Sequence, residues 1–129
     1  MNNLTQTLGK KGEDFACMYY VKYGFGIVAR NYRCAYGEID VIAQKDDKIF
    51  FCEVKTRNAS SQMRPSVNVT LAKQKKLIKT AAVYMQQHKT QLQPVFDVIE
   101  VNVNPYTLKC TSLNRIENAF IQGGNYAVF

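Results

Sequence analysis

No Asp or Glu occurs between Val54 and Phe96, a run of 43 positions that carries eight basic residues. These are Lys55, Arg57, Arg64, Lys73, Lys75, Lys76, Lys79 and Lys89. The rest of the chain holds 17 − 8 = 9 basic residues against all 10 acidic ones, so the net charge of +7 comes entirely from this segment. A charge excess confined in this way points to a polyanion partner, nucleic acid first, over the bland alternative of a solvated lysine-rich helix face. Other absences narrow the field. No apolar run is long enough to span a membrane. The stretch Met1 to Lys11 lacks the apolar core of a secretion signal, so a cytoplasmic protein is expected. The cysteines, Cys17, Cys34, Cys52 and Cys110, form no C-x-x-C pair. Metal-site spacing is therefore missing, and buried free thiols are expected rather than disulfides. The one histidine, His88, falls among polar residues at a helix end and reads as a surface group rather than a general base.

What is present suffices for one folded domain. The 129 residues are 47% apolar, enough for a core and too many for a disordered chain. No repeat or linker divides them, so a single domain over residues 1–122 is expected, with a mobile tail over 123–129. Leu4 to Tyr23 has helical spacing, with Leu8, Phe15, Met18, Tyr19 and Lys22 in phase and Gly24 as the stop. Ile27 to Asn31 reads as a short strand. Glu38 to Gln44 and Lys48 to Lys55 read as a β-hairpin interrupted at Lys45-Asp46-Asp47. A polar loop follows over Asn58 to Asn68. Val69 to His88 is a second helix, with Leu71, Ile78, Ala81, Ala82 and Met85 on one side and lysines on the others. Pro94 ends the connection, Val95 to Val103 is a strand, Leu108 to Cys110 is a candidate for another, and Arg115 to Phe120 for a last helical turn. The order α-β-β-β-α-β, with a strand apolar on both faces at Ile49 to Val54, predicts an α/β fold: a central mixed sheet flanked by helices on both faces.

The chemistry sits on the hairpin. Glu53 and Lys55 are two apart on a strand, so both side chains leave one face. With Asp46-Asp47 as a two-residue turn, residues whose numbers sum to 93 are opposed, and Asp40 faces Glu53 with Cβ atoms about 5 Å apart. A turn one residue longer would set the two acids diagonally. Opposed carboxylates repel unless a cation lies between them, and Mg2+ or Mn2+ is the obvious one. Such a site suits attack of activated water on a phosphodiester, with Lys55 orienting the water or offsetting charge. Glu38 shares the face and reads equally as a contributor or as a solvent-facing partner of Lys55. Asp97, on a strand, is expected to pair with a lysine. Tyr19, Tyr20, Tyr23, Tyr32 and Tyr36 read as the rim of a core before they read as base-stacking groups.

The motifs Gly9-Lys10-Lys11-Gly12-Glu13-Asp14-Phe15-Ala16, Arg30-Asn31-Tyr32-Arg33, Gly37-Glu38-Ile39-Asp40 and Phe51-Cys52-Glu53-Val54-Lys55-Thr56-Arg57 resemble those of the YraN-like family of small bacterial proteins. The similarity runs from Gly9 to about Val103 and includes Lys73-Gln74 and Phe96-Asp97-Val98. That resemblance implies a restriction-endonuclease-like core related to archaeal Holliday-junction resolvases. It implies metal-binding roles for Asp40 and Glu53, a catalytic role for Lys55, and an additional acidic residue at Glu13. It also implies that Gln74 lies close to the site, and that two copies form a homodimer on branched DNA. The loop with Met63-Arg64-Pro65-Ser66, and Val95 where a basic residue is common, depart from the family pattern. Arg57, Lys73, Gln74, Lys75, Lys76 and Lys79 are the candidate nucleic-acid contacts. The reading is a metal-dependent endonuclease for structured DNA. Its alternatives are a nucleic-acid-binding module that keeps the fold, and an interaction protein whose basic helix docks on an acidic partner.

Overall fold

The computed structural model describes residues 3–60 and 69–120. Five strands form one sheet in the order β1-β2-β3-β4-β5. In chain order the elements are α1 (Asn3–Lys22), β1 (Gly26–Cys34), β2 (Gly37–Lys45), β3 (Lys48–Asn58), α2 (Leu71–His88), β4 (Gln93–Val103) and β5 (Cys110–Ile116). All neighbours are antiparallel except β3 and β4, which run parallel because α2 carries the chain back between them. The sheet is thus mixed, as the sequence pattern predicts, with one strand more than the minimum count.

Each face of the sheet carries one helix. Leu8, Ala16 and Tyr20 of α1 pack with Val41, Phe50, Cys52 and Ile99. Leu77, Ala81 and Tyr84 of α2 pack on the other face with Ile42, Ile49, Phe51 and Phe96. The period of two along β3 produces this: Phe50 and Cys52 face α1 while Ile49 and Phe51 face α2. Among the described residues no helix is long and apolar enough to cross a membrane.

Several sequence expectations are corrected. In α1 the buried residues are Leu8, Gly12, Ala16 and Tyr20, whereas Met18 is 62% exposed. The inward face is drawn in small residues because the helix approaches β3 closely: a Cβ on Gly12 would collide with the side chain of Thr56. In α2 the buried set is Leu77, Thr80, Ala81 and Tyr84, and Leu71 lies exposed at the first turn. Thr70, not Val69, starts this helix, its side chain accepting from the Lys73 N–H. Pro94 lies inside β4 near its start. Arg115 and Ile116 are strand rather than helix, since β5 extends the sheet through pairs such as Ile99–Arg115. Gly24 ends α1 as expected, at φ 89°, with the Phe25 N–H reaching back to the Tyr20 carbonyl. All four cysteines are free, but only Cys52 is buried. Of the predicted polar loop, residues 61–68 lie outside the described residues, as does the tail 123–129.

Candidate functional site

The hairpin register matches the two-residue turn. Lys45 pairs with Lys48, Ile42 with Phe51 and Val41 with Cys52, each pair summing to 93. The next position would set Asp40 against Glu53, but there the described backbone pairing stops. The Asp40 carboxylate takes the place of a backbone acceptor: its Oδ2 accepts from the Val54 N–H at 2.8 Å. A second irregularity lies across the sheet from it. Arg30 pairs with Val41 and Tyr32 with Ile39, and between them Asn31 adopts a left-handed φ of 53°. The side-chain alternation of β2 slips at this point, with Ile39 and Ile42 packing toward α2 but Val41 and Ala43 toward α1. Asp40 thus lies just beyond the last described β2–β3 pair, Val41–Cys52.

Glu53 is 7% exposed and continues the α2-facing row of β3. Its Oε2 lies 3.4 Å from Lys55 Nζ and 3.5 Å from Lys73 Nζ. Lys55 is placed by the two-residue strand period. Lys73 comes from the first turn of α2, where its backbone N–H bonds to Thr70 Oγ1 at 3.2 Å. Asp40 and Glu53 lie between two cavities. A cleft of about 500 Å³ is walled by α1 and β3 and contains Glu13, Thr5 and Thr56 beside the two acids. A smaller pocket of about 90 Å³ toward α2 contains Gly37, Glu38, Lys73 and Lys76 beside the same two acids.

The electrostatics of the pair are uneven. Glu53 has two ammonium groups on one oxygen, whereas the Asp40 carboxyl is pushed up to about 7. Burial is the main cause, and the neighbouring charge of Glu53 is next. The Val54 N–H pulls the other way, and Glu13 and Glu38 add smaller upward pushes. An acid whose pKa rises on folding from 3.8 to about 7 holds a proton in the folded state that the unfolded chain has lost. Its contribution to stability is full below about pH 4 and is lost as the pH rises through 7. Asp40→Asn keeps an acceptor for the Val54 N–H and removes the titration. Urea unfolding at a series of pH values is expected to show the wild type losing stability between pH 4 and 7 more steeply than this variant. Equal slopes would mean that Asp40 bears no such strain.

The structure brings Asp40, Glu53 and Lys55 together as the sequence suggests, and places Glu13 in the same cleft. Glu13 is drawn to Arg30 at 3.7 Å, and Arg30 also holds Asp14 at 2.9 Å. Among the described residues no group of three or more His, Cys, Asp or Glu side chains is arranged to hold a metal, so the candidate centre is the Asp40–Glu53 pair. Glu38 pairs with Arg33 at 3.3 Å rather than with Lys55. Lys75, Lys76 and Lys79 lie exposed along α2, as a polyanion contact requires. Arg57 instead lies 3.8 Å from Glu100 of β4. Gln74 spends its amide on the Val69 carbonyl at 2.8 Å, supporting the start of α2. His88 is exposed and stacks on Tyr84 with ring centroids 3.9 Å apart.

Sequence reasoning missed two features. The sequence pattern puts Lys73 in the basic stripe, whereas its ammonium reaches Glu53. The contact joins elements about 20 residues apart, and no local spacing marks it. Asp97 pairs with an arginine rather than a lysine: Arg115 Nε lies 2.8 Å away, and the Tyr20 hydroxyl donates to the same carboxylate at 2.7 Å. This buried cluster ties α1, β4 and β5 together. Tyr20 is accordingly core, whereas Tyr23 and Tyr36 are about half exposed.

Comparison with known sequences agrees with the motifs. A family model described as "Uncharacterised protein family UPF0102" matches residues 12–101. A UPF0102 protein of Caldanaerobacter subterraneus subsp. tengcongensis is 43% identical over 116 residues, covering 89% of this chain and 95% of that protein. One from Chloroherpeton thalassium is 39% identical, covering 92% of this chain and 96% of its own length. Another, from Clostridium perfringens, is 37% identical, with 93% and 98% covered.

Proposed function

The chain belongs to the uncharacterised family UPF0102, the YraN-like family its motifs resemble, and on that footing we propose that it is a metal-dependent endonuclease acting on structured or branched DNA. The observation that carries this reading is the Asp40–Glu53 pair with Lys55 at its side, next to an acid-free helix of exposed lysines. Asp40 and Glu53 fit a hard divalent cation. They are oxygen donors, Mg2+ is commonly held by one or two protein carboxylates, and Asp40 is pushed up by its burial first and by the adjacent Glu53 next, both of which a bound cation would counter. A Mg2+ or Mn2+ ion held there would supply Lewis acidity and a water nucleophile at neutral pH. The chain's own groups do the rest. Lys55 Nζ, half-buried beside Glu53, offsets negative charge gathering on a phosphate. Lys75, Lys76 and Lys79 hold the polyanion against α2.

A second reading, a binding module without catalysis, is favoured by the two lysines already seated on Glu53 and by the lack of a third acidic ligand among the described residues. Incubation with four-way junction, flap and linear DNA, with and without Mg2+ or Mn2+, separates the two. Cleavage that needs the metal supports the nuclease; tight binding without cleavage supports the module. Under both readings, replacing Lys75, Lys76 and Lys79 by Ala is expected to lower the slope of log affinity against log salt by about 0.9 for each lost contact to duplex phosphate. An unchanged slope removes α2 from the interface.

A further inference from the structure

One carboxylate oxygen, Glu53 Oε2, faces two ammonium groups at nearly equal distance, 3.4 and 3.5 Å. A single negative charge is neutralised by one of them. The other lies where any cation on the acid pair would feel it. The two lysines are not equivalent. Lys55 sits on β3, with 27% of its side chain exposed, and is committed to this face by the strand. Lys73 comes from another element, is 46% exposed, and lines the small pocket that Lys76 also lines. Its backbone is fixed by Thr70, but its side chain is long and rotatable, and it stands at the end of the stripe that includes Lys75, Lys76 and Lys79. A phosphate drawn to that stripe competes with Glu53 for the Lys73 ammonium.

We propose that Lys73 is an exchanging counter-cation. It holds Glu53 in the free protein and leaves it for a phosphate of the incoming polyanion, so that polyanion and divalent cation bind cooperatively. The proposal rests on the metal-dependent reading above and assigns Lys73 a positioning role, since it acts through Glu53. Exchange of this kind is reciprocal: whatever DNA adds to cation affinity, the cation adds to DNA affinity.

The test is calorimetric titration with Mn2+ on wild type, Lys73→Met, Lys73→Arg and Lys22→Met. Each is measured with and without a flap oligonucleotide carrying phosphorothioate linkages. Lys22, in the last turn of α1, controls for the loss of one positive charge from the whole protein. Without DNA, Lys73→Met is expected to bind Mn2+ about tenfold more tightly than wild type, because a neighbouring positive charge is gone. DNA is expected to tighten Mn2+ binding about fivefold or more in wild type and in Lys73→Arg, and hardly at all in Lys73→Met. Lys22→Met should follow wild type. If wild type binds Mn2+ but Lys73→Met matches it in both conditions, the exchange is overturned while the carboxylate site stands. If wild type takes up no Mn2+ with or without DNA, the metal-dependent reading fails and the exchange with it.

Discussion

Alanine at Lys55 is expected to slow cleavage about 100- to 1,000-fold while leaving the protein folded, the range that loss of one preorganised electrostatic contact to a transition state produces. Lys55 is only partly buried and its ammonium pairs with Glu53, so its truncation chiefly removes charge from the site. DNA affinity should fall only slightly, since Lys55 is one of many basic groups. Asp40→Ala is expected to abolish cleavage altogether. It removes one of the two carboxylates of the candidate centre, and Glu53, left with Lys55 and Lys73, has its charge already met. The variant should also relieve the close approach of two acids and lose nothing in stability above pH 7 beyond the hydrogen bond to the Val54 N–H. Single-turnover cleavage of flap DNA in Mg2+ and in Mn2+, beside a mock purification, measures both effects. Variants that cut as fast as wild type would sink the assignment of these residues.

The other large effect concerns the scaffold. The Asp97 side chain is fully buried between Arg115, the Tyr20 hydroxyl and the Asn118 N–H, at 2.8, 2.7 and 3.0 Å. The Arg115 guanidinium lies over the rings of Tyr20, Phe25 and Phe50, 5.1 to 5.6 Å from their centroids. Arg115→Met fills much of the same volume but leaves the carboxylate buried without its counter-charge. Breaking a buried pair from one side typically costs about 3–5 kcal/mol. Against a total stability of about 5–15 kcal/mol for an ordinary domain, that brings the protein near unfolding. Adding Asp97→Asn, which removes the stranded charge, should recover a large part of the loss. Urea denaturation of the two variants measures this directly. A shift of less than about 1 kcal/mol for Arg115→Met would mean that neither the ion pair nor the guanidinium over the three rings holds β5 in place.

The hairpin was legible because its rules are local. A two-residue turn at Asp46-Asp47 and a side-chain period of two place Glu53 and Lys55 on one face and bring Asp40 beside them. The structure keeps that register as far as Val41–Cys52. The second helix was legible as an element for a similar reason, but its buried set, Leu77, Thr80, Ala81 and Tyr84, shares only Ala81 with the apolar side read from the spacing. The buried face of α1 was not legible. Helical periodicity is marked by large apolar residues, while close contact between a helix and a sheet selects small ones, here Gly12 and Ala16. Nor does the hairpin pattern show that Asn31, across from Asp40, takes a left-handed φ of 53°.

The apolar patterning, charge and hairpin residues by themselves determine an α/β fold with two acids and a lysine on adjoining strands and one basic helix. Only the tertiary structure decides that Asp40 bonds the Val54 N–H in place of a strand partner, that Lys73 joins Lys55 on Glu53, and that Arg115 is the counter-ion of Asp97. Each of these contacts joins groups on different elements. Their formation depends on how closely two helices and five strands approach once the apolar faces are buried, a distance that no local spacing encodes.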